Sequence, residues 1–126
     1  MSQSAAQTEP HERRRHTRYA LSGRFPGHFC REDGEPLTVI PVDISAFGLG
    51  VVFGAEVSEG GQVRFTYQPD SGESLAIALE IRWVYQGVEH ERGLSGFRCG
   101  LWVIDESVHL EELLEDAPTL SWEDLT

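Results

Sequence analysis

Two short stretches of this 126-residue chain carry the side chains best suited to gripping a ligand. The first, Arg13-Arg14-Arg15-His16-Thr17-Arg18, sets Arg14 and Arg18 four residues apart, with Arg13 and Arg15 beside them. The second, Asp43-Ile44-Ser45-Ala46-Phe47-Gly48, gathers a carboxylate, a hydroxyl and a glycine within six residues. All ten basic residues of the chain are arginine, and a guanidinium is a planar fork of donors that holds phosphates and purine edges bidentately. A carboxylate only accepts, whereas a hydroxyl donates or accepts. A glycine has no Cβ, so backbone there can approach a ligand closely or take a positive φ. Singly, each stretch has a plain explanation: an arginine run is usually a solvated patch, and Asp-x-Ser at a strand end usually bonds its own backbone. The chemistry they would share, if brought together, is capture of a small anion.

Catalytic and metal chemistry find no comparable cluster. Ser45 is not in a GxSxG elbow and no histidine is placed by sequence to activate it. Gly48-Leu49-Gly50 lacks the third glycine and the helix of a dinucleotide loop. His28, His90 and His109 do not form a recognised ligand set, and Cys30 and Cys99 lack zinc spacing. The expectation is no catalytic residue, no metal and no cofactor, with two reduced, mostly buried thiols.

The charge is distributed unevenly. The formal net charge is −11, yet Met1 to Arg31 holds six of the arginines and two acids, and the remainder holds nineteen acids. A basic head therefore precedes a strongly acidic body, which would repel an extended phosphate backbone passing over it. Duplex DNA is not an expected partner. No run approaches the roughly 18 apolar residues of a membrane span, and the amino terminus has no apolar core of a signal peptide, so membrane insertion is not expected and the expected location is cytoplasmic.

The elements that must position the two clusters read as strands. Residues 1–12 are polar without apolar period and read as a disordered tail; 13–116 form the domain; 117–126 read as an acidic C-terminal tail. Strands are expected over Tyr19–Cys30, Leu37–Ile44, Leu49–Phe53 and Gln62–Tyr67, the last with Val63, Phe65 and Tyr67 on one face. Leu75, Ile77, Leu79, Ile81 and Trp83 share one parity, which assigns Trp83 to the core unless a bulge turns it outward. After a loop at Glu89–Gly93, a last strand sets Phe97, Cys99, Leu101 and Val103 on one face. A short helix capped by Asp105 would cover Trp102 and Ile104 with Leu110, Leu113 and Leu114. The pattern is all-β: a small antiparallel barrel of six to seven strands with a C-terminal helix.

Arg14 to Arg18 is RxxxR and Asp43 to Gly48 is DxSxxG. In this order, about 25 residues apart and in an all-β setting, they resemble the motifs of the PilZ domain family, and the likeness extends from Arg13 to Leu114. It implies a split β-barrel that binds cyclic di-GMP, without catalysis, and signals to an unidentified downstream protein. The implied ligand contacts are Arg13, Arg14, Arg18, Asp43, Ser45 and Gly48, with Arg15 and Trp83 as additional ones. Guanine N7 and O6 suit an arginine fork, and a carboxylate suits the N–H donors of its other edge. An arginine immediately before RxxxR is associated in the family with an intercalated cyclic di-GMP dimer. The rival readings are a degenerate PilZ adaptor in motility or pilus assembly and a small single-stranded nucleic-acid-binding barrel. The acidic stretch from Asp105 to Thr126 could compete with ligand for the arginine head, so deletion of Pro118–Thr126 is expected to leave affinity equal or slightly higher.

Overall fold

The computed structural model describes residues 18–67, 72–91 and 94–124. The expected tail at 1–12 and the arginines Arg13, Arg14 and Arg15 lie outside them. Strands β1 (Tyr19–Gly23), β2 (Gly27–Arg31), β3 (Pro36–Leu37), β4 (Val39–Ile44), β5 (Gly48–Phe53), β6 (Gln62–Tyr67), β7 (Leu75–Glu91), β8 (Leu94–Val103) and β9 (Leu120–Asp124) surround one short helix, α1 (Leu110–Leu114). They form one antiparallel sheet in the order β3-β2-β6-β7-β8-β5-β4-β1-β9. The sheet curls around a single core whose largest fully buried members are Phe29, Phe53, Phe65, Ile44, Leu49 and Leu79.

The all-β class holds, and there are more strands than expected because two apolar runs are broken and the carboxyl end adds one more. The Tyr19–Cys30 run ends β1 at Gly23, whose φ of 97° suits only glycine, and Arg24 donates its N–H to the Thr119 carbonyl at 2.9 Å before β2 starts. The Leu37–Ile44 run divides into β3 and β4. In β6 the alternation is as expected, with Val63 and Phe65 buried and Gln62 and Arg64 exposed. Glu89–Gly93 is not all loop, since β7 runs to Glu91.

Two expectations at the carboxyl end need correction. Asp105 does not cap the helix: it accepts from the Ser107 N–H at 3.0 Å and hydroxyl at 2.7 Å, and these bonds hold its carboxyl below the usual range. The residue before α1 is His109, which makes no side-chain capping bond. Leu110 and Leu114 sink into the main core, and the Leu110 N–H donates to the Ala46 carbonyl at 2.8 Å. The helix is thus seated on the β4–β5 connection, and Ile104, which it was expected to cover, stays 49% exposed. The supposed acidic tail, in turn, supplies β9, paired with β1 from Tyr19↔Asp124 to Gly23↔Leu120. Leu120 is the apolar anchor of that strand, 8% exposed. Among the described residues no helix is long and apolar enough to cross a membrane.

Candidate functional site

The DxSxxG stretch spans the end of β4, the connection and the first residue of β5. Ala46 and Phe47 are buried, which ties the connection to the core, and the Ser45 N–H donates to the Gly48 carbonyl at 2.9 Å. Ser45 itself is 5% exposed. Gly48 is not among the glycines with positive φ, so its role is close packing: a Cβ there would stand 3.2 Å from Cε3 of Trp102 and 3.3 Å from Oγ of Ser45.

Strict alternation would turn Asp43 inward with Pro41, but the register shifts between them, from Pro41↔Val51 to Asp43↔Gly50. Val42 is the extra residue of a bulge, and a bulge re-aims the side chain after it. The same device recurs on β7, where Ile81 faces Leu101 and Trp83 faces Gly100, with Arg82 extra. Trp83 is therefore not a core residue but lies on the outer face, partly buried and in tilted contact with exposed Tyr85 at 4.9 Å between centroids. Four strands then carry one row across the outer face: Asp43, Gly50, Gly100 and Trp83.

Charge gathers at the Asp43 end of that row. Arg18 donates from Nη1 to Oδ1 of Asp43 at 2.9 Å, and Nη2 of Arg98 stands 3.8 Å from Oδ2. Tyr19 and Ala20 of β1 lie opposite Ile44 and Asp43 of β4, which is why the end of the first cluster meets the start of the second. Arg18 is 46% exposed, so the pair is screened and contributes under about 1 kcal/mol. An arriving anion can take that guanidinium over at little expense. Arg98 is more buried, and its Nε has no hydrogen-bond partner. At the other end Arg82 lies over the Trp102 ring, 5.4 Å from its centroid, and donates to Glu80 at 2.7 Å. A hollow of about 240 Å³ opens between them, lined by Arg18, Gly48, Gly50, Trp83, Gly100 and Trp102.

Of the residues expected to bind ligand, the structure lines this hollow with Arg18, Gly48 and Trp83 and joins Asp43 to it through Arg18. Ser45 lies beneath, beside Gly48; Arg13, Arg14 and Arg15 are outside the described residues. Sequence reading passed over Arg82, Arg98, Gly50, Gly100 and Trp102. A signal was present: Gly96, Arg98, Gly100 and Trp102 share the parity opposite to buried Cys99, Leu101 and Val103. No group of three potential metal ligands occurs among the described residues.

The PilZ domain family model matches residues 12–116. A solved structure, the PilZ domain with c-di-GMP of YcgR from Escherichia coli, is 18% identical over 83% of this chain and 97% of that chain, with a TM-score of 0.46. No curated protein matches.

Proposed function

Because this chain belongs to the PilZ domain family, whose members are binding domains and not catalysts, we propose that it is a receptor for cyclic di-GMP. The observation that carries this reading is the Arg18–Asp43 pair, which joins the last residue of RxxxR to the first of DxSxxG on one outer face. Arg14 and Arg18 grip phosphate and guanine edges, with Arg13 and Arg15 adding charge. Asp43 receives guanine N–H donors, and Ser45 and Gly48 shape the floor under them. Trp83 offers a ring for base stacking. An arginine that leaves Asp43 for the ligand changes the conformation of the segment before β1, and a downstream protein reads that change.

Calorimetry with cyclic di-GMP tests the reading. Wild-type protein is expected to bind, with two ligands per chain if Arg13 helps to hold an intercalated dimer, and a single-stranded oligonucleotide is expected not to bind. Arg18→Ala should weaken binding tenfold or more, about 1.4 kcal/mol or above. Hydrogen exchange at Arg13 to Arg18 should slow when ligand is added. Absence of heat with wild-type protein, or oligonucleotide binding of equal strength, overturns the assignment.

A further inference from the structure

Glycines on the outer face of β5 and β8 are of two kinds. A Cβ on Gly96 would run into the backbone carbonyl of Phe53, so that glycine serves the sheet itself. Gly50 and Gly100, directly paired across the strands, meet side chains instead. A Cβ on Gly50 would overlap the Asp43 carboxylate, and a Cβ on Gly100 would overlap the Trp83 indole around Nε1 and Cε2. Asp43 thus folds across β5 from one flank and Trp83 folds across β8 from the other. Each does so because a bulge has turned it outward and a glycine has left room for it.

We propose that the Gly50–Gly100 pair positions the two sides of the ligand site, seating the Asp43 carboxylate and the Trp83 indole low enough to hold a purine ring over the hollow between them. This rests on the cyclic di-GMP reading for the identity of the ring. Neither glycine touches ligand chemistry directly; both act through the side chain that covers them. A methyl group at either position meets side-chain atoms, the Asp43 carboxylate or the body of the Trp83 indole, and no backbone atom among its nearest neighbours, so these substitutions act first on the covering side chain.

Coupled variants test the proposal. Gly100→Ala should weaken cyclic di-GMP binding by roughly five- to a hundredfold, the range of one lost base stack, with a thermal midpoint close to wild type. Gly100→Ala in a Trp83→Ala background should add no more than about twofold, because the glycine acts only through the indole. Gly50→Ala and Asp43→Ala should show the same dependence, which keeps the test open if Gly100→Ala folds poorly. A readout without ligand is the emission of Trp83, taken as the difference from Trp83→Phe: Gly100→Ala should shift it to longer wavelength as the indole moves into water. Additive losses in both cycles, or an unchanged Trp83 emission, overturn the positioning role. If wild-type protein fails to bind cyclic di-GMP, the functional reading falls, while the emission comparison still decides whether Gly100 seats the indole.

Discussion

Strands β5 and β8 turn two unlike faces to the world. Toward the core they present Leu49, Val51, Phe53, Cys99, Leu101 and Val103, all between 0 and 2% exposed. Toward the outside the same strands present Gly48, Gly50, Val52, Arg98, Gly100 and Trp102, a surface of missing side chains, charge and indole with one valine covered by its neighbours. The inner face is built for volume, because close packing penalises every gap. The outer face is built for access, and its glycines make room for groups from neighbouring strands. One pair of strands can therefore be altered on either side with separable consequences.

Phe53→Ala should make the largest difference, lowering unfolding free energy by about 3–5 kcal/mol in denaturant titration. Deletion of Pro118–Thr126 comes next. The charge pattern alone suggests it is harmless, but the loss of β9 strips β1 of its outer partner and exposes the surface that Leu120 covers. Stability should fall by at least ~1.5–3 kcal/mol, seen as a lower Tm; an unchanged Tm would show that β9 does not belong to the cooperative unit. Asp43→Ala, on the outer face, should lower cyclic di-GMP affinity tenfold or more while changing stability by under about 1 kcal/mol. A collapse of Tm in Asp43→Ala would break the division between the faces.

The smallest effect belongs to the inner thiol. Burial pushes Cys99 up to about 11 from 9.0. The unfolded chain loses that proton first, so this contribution is whole below pH 9 and disappears as pH rises through 11. Cys99→Ser should flatten the loss of stability over that window. In the native protein at pH 8, mass spectrometry after brief exposure to a thiol reagent should find Cys30 labelled well before Cys99.

The alternating strands were legible in sequence wherever one face is wet: β6 follows its parity and so does β7 from Ile77 to Ile81, whereas Leu75 at its start is 39% exposed. The two clusters were legible too, because arginine and Asp-x-Ser-x-x-Gly are conspicuous residue types. Trp83 was ambiguous for a physical reason. A bulge inserts one residue without any marker in composition, and from Arg82 onward it reverses which parity faces the core. Asp43 is turned outward in the same way by Val42, yet its side chain already announced an exposed role. Gly50 and Gly100 were missed because a glycine's purpose lies in the neighbour that covers it, and pairing across strands is invisible along the chain. Leu120 and Trp122 were passed over among acids, although two large apolar residues of equal parity were enough for a short strand.

The register Tyr19↔Asp124 places the entry to β1 and the exit from β9 at one corner, beside Arg18 and the hollow it lines. For anyone fusing a fluorescent reporter to this domain, that corner makes attachment after Asp124 as intimate with the ligand as attachment before Arg18. A carboxyl-terminal fusion would then work as a proximity gauge for nucleotide arrival, and the turn at Gly34, across the sheet on the β2–β3 edge, would be the quiet place to put a tag.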